Sequence, residues 1–418
     1  MAWLLGLVPD TTPLRRSRDY RVLALGATLS GLGSNAVLVA LPFQVFVVTH
    51  SAALVGLIGA AELLPAALVG LFGGAVADRV DRRRLLLVGA LGLLLSDGAL
   101  AILTFTTGHP PVWLIFALAA SLAAWGALEQ LSFGSMVASL TGEWLRSALS
   151  LNAAIGQGTA IVGPGLGGLM IGTTGVGSVY VVDGLTVVVT IFAALTMEAH
   201  RPRGDKVDEP ILASVVAGLR FVRSDNAMLG SFVIDLFAMT FGMPRALFVV
   251  LSLRVFHSGA AGAGLLYACV AAGATLATLT TGWVAGARWL GRITIAMVIV
   301  WGTAIAAAGF LSSLAAASVL FAIAGAADSV SAICRITIAQ LLAPDTMRGR
   351  VTALHGLIVT GGVRLGDIES GLVASLTSAS FSVVSGGAAC VASVGVVVLA
   401  FPKLAAFDAQ ELPVAAAP

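Results

Sequence analysis

The chain has 418 residues, of which 58% are hydrophobic and only 11% charged, with a net charge of +2 and a mean hydropathy of +1.00. A soluble chain would carry about 25% charged residues, and a balance this close to neutral provides no strong field to recruit an anionic polymer. The composition therefore excludes a disordered chain, a nucleic-acid binder and almost any soluble enzyme, and leaves a polytopic helical membrane protein with room for roughly twelve spans of about 20 apolar residues.

The start of the chain does not read as a secretory signal, because the short apolar stretch Met1 to Val8 precedes the basic residues and no small-residue cleavage site follows. Apolar segments then fall at about 22–48, 53–77, 85–107, 112–140, 146–172 and 175–197, and after a polar stretch at about 228–256, 259–286, 291–312, 315–343, 350–376 and 379–402. The breaks are sharp: Thr49-His50-Ser51, the run Asp78 to Arg84, and Gly108-His109-Pro110-Pro111. The one long polar stretch, 198–226, carries Arg201, Arg203, Asp205, Lys206, Asp208 and Glu209. The expected organisation is a cytoplasmic segment 1–21, a six-helix half 22–197, a central cytoplasmic loop 198–226, a second six-helix half 227–402 and a cytoplasmic tail 403–418.

Basic residues set the orientation. All but Arg245, Arg254, Arg335 and Arg364 fall on one side when the loops are numbered alternately, which places both termini and the central loop in the cytoplasm. Leu140-Thr141-Gly142-Glu143-Trp144-Leu145-Arg146 after the fourth segment and Ala343 to Arg350 after the tenth look like copies of one element, as do Arg16-Ser17-Arg18-Asp19 and Arg223-Ser224-Asp225. Two six-span halves rocking about a midplane site is one way such a duplicated chain works.

Gly74-Ala75-Val76-Ala77-Asp78-Arg79-Val80-Asp81-Arg82-Arg83-Arg84 resembles the major facilitator superfamily loop G-x-L-A-D-R-x-G-R-[KR], with Val76 for the leucine and Asp81 for the second glycine. The resemblance implies a cytoplasmic latch built from Gly74, Asp78, Arg79 and Arg82, with Asp78 accepting from a helix N-terminus and Asp367 on a span able to meet it. The bland reading is an ordinary positive-inside loop. Gly163-Pro164-Gly165-Leu166-Gly167-Gly168 resembles the superfamily's antiporter core G-P-x-x-G-G, in which Pro164 bends a helix and Gly163, Gly167 and Gly168 allow close packing. That implies a hinge and an exporter; the alternative is a glycine packing face with no directional meaning. With Arg18-Asp19-Tyr20-Arg21, Ala40 to Val45 and Pro344 to Val351, the whole of 15–400 resembles the drug:proton antiporter branch that contains siderophore exporters. The resemblance implies an all-α membrane fold of twelve transmembrane helices in two pseudo-symmetric halves, multi-pass in the bacterial inner membrane, acting as a monomer.

By that resemblance spans one, four, seven and ten line the cavity. Asn35, Gln44, Glu129, Asp235, Asp328 and Arg335 are then the cavity and substrate candidates, and Glu129, Asp235, Asp328 and Glu62 the proton-coupling candidates, since ionisable groups inside spans are costly and mark pathways. Glu129 is the first choice as proton carrier; the rival reading is a permanent ion pair with Arg335 or Arg364. Asp328 and Arg335, seven apart and about 10 Å along a helix, are expected to share a face without pairing. Arg364 and Asp367 can pair locally. Asp97 is expected at the periphery and Asp183 near the outer surface, both structural, and His355 is expected to be a packed residue.

Cys269, Cys334 and Cys390 have no metal-type spacing, and no nucleotide-binding loop or nucleophile constellation occurs, so neither metal nor cofactor is expected and the chain is not expected to be an enzyme. The expected function is proton-coupled export of a small organic molecule, a siderophore or an amphipathic drug. The alternatives are an importer or lipid-like solute flippase of the same fold, and a non-transporting sensor or scaffold. Partners are the substrate, protons and the bilayer, with no nucleic acid.

Overall fold

The computed structural model describes residues 10–77, 80–197 and 211–410. Among these, every regular element is helical: α1 (Thr12–Arg16), α2 (Arg18–Thr49), α3 (Ala52–Ala77), α4 (Arg82–Thr106), α5 (Val112–Thr141), α6 (Leu145–Thr174), α7 (Val176–Thr196), α8 (Ile211–Ser224), α9 (Asn226–Phe241), α10 (Leu247–Arg254), α11 (Gly259–Thr280), α12 (Leu290–Gly309), α13 (Leu314–Leu342), α14 (Asp345–Leu376), α15 (Ala379–Ala400) and α16 (Pro402–Ala405). Nine helical runs among the described residues are long and apolar enough to cross a membrane. The stretch Val112–Thr174 counts as one of these, because α5 and α6 are joined through a single 3-10 turn at Gly142–Trp144. The 32-residue α14 is not among the nine; it carries Arg348, Arg350, Arg364, Asp367 and Glu369.

The polar residues that punctuate the sequence do so as caps. Ser17 accepts from the Tyr20 N–H to start α2, Asp81 from Arg83 to start α4, and Asp225 from both Ala227 and Met228 to start α9. His50, at φ 52°, closes α2 in the left-handed conformation, with its N–H on the Phe46 carbonyl. Two expectations change. Residues 211–224, inside the expected central loop, form a helix, because Val216, Leu219 and Val222 recur at helical spacing and Val222 joins a buried cluster with Met228 and Phe232. The expected continuous span 228–256 is two helices, α9 and α10, separated at Gly242-Met243-Pro244, where proline has no N–H to continue the ladder.

The chain divides into two compact units, residues 1–208 with 252–268, and 209–251 with 269–418. In the first unit α2, α4 and α7 pack closely through small residues. A methyl at Gly33 would run into Asp183 of α7, and α4 meets α5 as closely, since one at Gly92 would run into the Trp125 ring. The N-terminal segment is tied to the start of α6. Asp10 accepts from Thr12 and Ser147, and Tyr20 Oη lies 3.0 Å from Asn152 Oδ1 and 3.1 Å from the Ala148 carbonyl. The bonds from Thr12, then that from Ser147, hold the Asp10 carboxyl below its usual range. Arg254 donates to the His50 carbonyl at 2.9 Å and sits over the Phe46 ring, placing a cation at the C-terminal end of α2.

In the second unit α12 packs against both α13 and α15. Trp301 is fully buried and donates to the Gly242 carbonyl at 2.7 Å, which satisfies a group exposed by the α9–α10 break. The C-terminal segment folds back on the turn before α12. Asp408 takes the Arg288 guanidinium, Ala409 N–H reaches the Arg288 carbonyl, and Arg292 reaches Ala405. Burial opposes ionisation of Asp408, but the Gln410 N–H and Arg288 outweigh it and hold the carboxyl below its ordinary value.

Candidate transport site

In the second unit, the fully buried Asp235 of α9 and Arg335 of α13 make an ion contact of 2.9 Å. Arg335 also donates to Asp328 at 3.4 Å and to the Ser331 hydroxyl at 2.6 Å. The expectation that Asp328 and Arg335 stay apart is corrected. Helical side chains lean toward the N-terminus, and an arginine seven residues C-terminal to an acid leans back over the intervening turns. One guanidinium therefore serves two carboxylates from two helices. The service is uneven: Asp235 makes its contact without hydrogen-bond alignment, and neither of its oxygens has an aligned donor.

His355 of α14 completes the cluster. It packs edge-on against Phe232, as a packed residue would, and it also brings Nδ1 to 3.3 Å from Asp235 Oδ2. Arg245, in the α9–α10 break, acts electrostatically on both Asp328 and Asp367. Asp367 lies 4.0 Å from Arg364, the local pairing the spacing predicts, and accepts from the Ala246 N–H at 3.0 Å. Its carboxylate thus satisfies an orphan donor at the start of α10.

In the first unit, Glu129 of α5 lies beside Gly89 of α4, whose missing Cβ would be 3.1 Å from the Glu129 backbone nitrogen. Glu129 acts electrostatically on Asp97 of α4 and Asp183 of α7, which are themselves in side-chain contact. The expected peripheral place of Asp97 is corrected: it is 0% exposed, packed beside Asp183, which is 3% exposed. Span three turns its acid inward because α4 and α7 pack face to face through small residues, with Asp97 Cβ 3.6 Å from where a Cβ on Gly184 would stand. A rule that assigned span three to the outside by analogy hid this. The signal that could have found it was the buried apolar pattern around Asp97, since Leu93, Leu100 and Ala101 are all core residues.

Gln44 is buried, and both ends of its amide are bonded: the oxygen accepts from Tyr180 Oη at 2.7 Å and the nitrogen donates to Thr104 at 2.8 Å. Asn35 donates to the Gly31 carbonyl. Glu62 is half-buried on α3, just before Pro65. The glycines of the Pro164 segment are faces of contact: a Cβ on Gly163 would meet Asn35, one on Gly167 would meet Ala36, and one on Gly168 would meet Ala260 at 2.5 Å. α6 is thus flanked by α2 on one side and by the start of α11 on the other. Of the expected latch, Gly74 lies in α3, while Asp78 and Arg79 fall outside the described residues. Arg82 donates to the Ser135 carbonyl at 2.9 Å, and Arg83 to the Leu195 carbonyl at 2.7 Å. Among the described residues no group of histidine, cysteine and acidic side chains is arranged to hold a metal ion.

The helical architecture and the charged residues inside its spans are those of a transport protein, and a family model described as transmembrane secretion effector matches residues 10–417. The chain belongs to this family of the major facilitator superfamily. It is a multi-pass membrane transporter and not an enzyme. It is similar to the enterobactin exporter EntS of Citrobacter koseri, 27% identical with 92% of this chain and 91% of the relative covered. It is also similar to the multidrug efflux pump Tap of Mycolicibacterium fortuitum, 28% identical over 94% and 98% of the two chains. A bacterial homologue of the human lysosomal transporter Spinster, in an inward-facing and unoccupied conformation, superposes with a TM-score of 0.70 at 16% identity, covering 94% of this chain and 97% of that one, and shares the fold.

Proposed function

We propose that this secretion effector exports a small organic molecule, a siderophore or an amphipathic drug, in exchange for protons. It works by alternating access between two pseudo-symmetric six-helix halves. It resides as a monomer in the bacterial inner membrane with both termini in the cytoplasm. The direction of transport rests on the exporters among its relatives and on the Gly163-Pro164 segment. Asp78 with its neighbouring arginines closes the cytoplasmic side, and the bend at Pro164 lets α6 flex.

The observation that carries proton coupling is the charge imbalance inside the spans. Asp235 and Asp328 share the guanidinium of Arg335. Glu129, half-buried, acts electrostatically on two further acids, Asp97 and Asp183, which are in contact with each other. Carboxyl groups that outnumber their counter-ions inside a membrane can take up protons, or can release them to water in exchange for a cationic substrate.

The test is transport in proteoliposomes with an imposed pH gradient. Glu129→Gln mimics the protonated carboxyl and is nearly isosteric, so the expected result is loss of gradient-driven efflux with substrate exchange retained. Full gradient-driven efflux by Glu129→Gln moves the role to Asp235, Asp328 or Glu62. If collapsing the gradient leaves wild-type efflux unchanged, proton antiport is refuted.

A further inference from the structure

Asp97 and Asp183, which the proposed cycle uses only as neighbours of Glu129, present a chemical problem of their own. Asp97 is completely buried on α4, and among the described residues neither of its carboxyl oxygens has a hydrogen-bond donor. Its neighbour is another carboxyl, that of Asp183 on α7. The hydroxyls around them are already committed. Thr186 Oγ1 donates to the Asp183 carbonyl at 2.7 Å and reaches Asp183 Oδ1 only at 3.4 Å. Tyr180 Oη donates to Gln44, and Thr104 donates to the Leu100 carbonyl.

Each element packed against the pair has the same character. α5 contributes Glu129, another acid; α7 contributes Tyr180, whose proton is spent on Gln44; α2 contributes Gly33, whose lack of a side chain makes room for Asp183. Two carboxylates in contact, without a cation or a free donor, cannot both stay ionised out of water. A single proton between them supplies the missing donor and halves the charge, as in other carboxyl dyads. Glu129 acts on the pair through its field, from a level further along α4. Glu129 is level with Gly89, eight residues before Asp97, which is about 12 Å along the helix.

We propose that Asp97 and Asp183 form a proton-binding site that holds one shared proton and exchanges it during transport. The exchange rests on the proton-coupled reading above; the shared proton does not. On release, the proton leaves the Asp97–Asp183 bridge and both carboxyls become anionic; on uptake, one oxygen is protonated and donates to the other. No other bond changes.

The experiment is infrared difference spectroscopy of the purified full chain in lipid, titrated from about pH 5 to about pH 10, paired with efflux and proton flux in proteoliposomes. The wild type is expected to show the carbonyl stretch of a protonated carboxyl that Asp97→Asn and Asp183→Asn each remove and Glu129→Gln leaves in place. Each asparagine supplies an amide N–H to the remaining carboxylate, so the single variants are expected to fold. Both are expected to lose gradient-driven efflux while keeping downhill exchange. Absence of the band in the wild type, or its persistence in both asparagine variants, overturns the site. A band that behaves as expected together with normal gradient-driven efflux in both variants overturns its role in transport. Wild-type efflux indifferent to the pH gradient refutes proton antiport instead, and the infrared arm still decides the site.

Discussion

Replacing Arg335 by methionine isolates what the buried charge cluster holds together. Methionine keeps much of the side-chain volume and removes the charge. Asp235, 0% exposed, then keeps the His355 Nδ1 contact at 3.3 Å and loses its arginine. Removing one partner of a buried ion pair costs about 3–5 kcal/mol, which lowers the apparent melting temperature by on the order of 10 °C. The geometry also ranks the other variants. Asp235→Asn costs less, because Arg335 keeps Asp328 and Ser331. Asp328→Asn costs least, about 1 kcal/mol or below, because that side chain is 20% exposed and its contact is 3.4 Å. Arg335→Met combined with Asp235→Asn and Asp328→Asn is expected to recover most of the loss, since a cluster replaced as a whole leaves no unpaired charge. Thermal unfolding of detergent-solubilised protein at one fixed heating rate reads all four. The reasoning is refuted if Arg335→Met melts with the wild type, or if the triple variant is no more stable than Arg335→Met alone.

Pro164→Ala is expected to reduce turnover more than substrate binding, and Gly168→Val to reduce it further, since a Cβ there meets the Ala260 carbonyl at 2.5 Å; initial efflux rates set against binding titrations separate the two effects. Asp78→Asn is expected to insert and melt like the wild type while exporting more slowly, a comparison made in vesicles with expression matched. The Asp408–Arg288 tie has a pH signature with a definite sign. A carboxyl held below its ordinary value contributes stability that is present above the unfolded value near about 3.9 and is lost as pH falls through the lower folded value. The wild type should therefore lose more melting temperature than Asp408→Ala between about pH 5 and about pH 3, and parallel curves would remove the tie as a stabilising contact.

The helices were legible because each break carries a residue with a mechanism: Ser17, Asp81 and Asp225 as caps, His50 as a left-handed end. The helix 211–224 was not, because Arg220 and Arg223 sit in a stretch that composition marks as a loop while Val216, Leu219 and Val222 quietly keep helical spacing. The contact of Asp328 with Arg335 was missed for a different reason: a rise per residue measures backbone, and an arginine side chain spans turns. Asp97 and Asp183 stand 86 positions apart in the chain. Only the antiparallel packing of α4 on α7 makes them neighbours, and no periodicity within either helix encodes that register. Gln44 was legible as a polar residue inside a span, but its partners Tyr180 and Thr104 come from two other helices, so its commitment to the packed interior was not.

The two units solve the problem of buried charge in opposite ways. In the second, acids are matched against arginines: Asp235 and Asp328 against Arg335, and Asp367 against Arg364, with Arg245 acting on Asp328 and Asp367. In a network of mixed sign each arginine offsets part of the cost of keeping an acid ionised out of water. In the first unit Arg83 and Arg254 reach carbonyls at helix ends, and Asp97, Asp183 and Glu129 are grouped with one another. Adding a proton there relieves repulsion and uncovers no cation. A proton added to Asp235 or Asp328 in the second unit instead weakens a contact with Arg335.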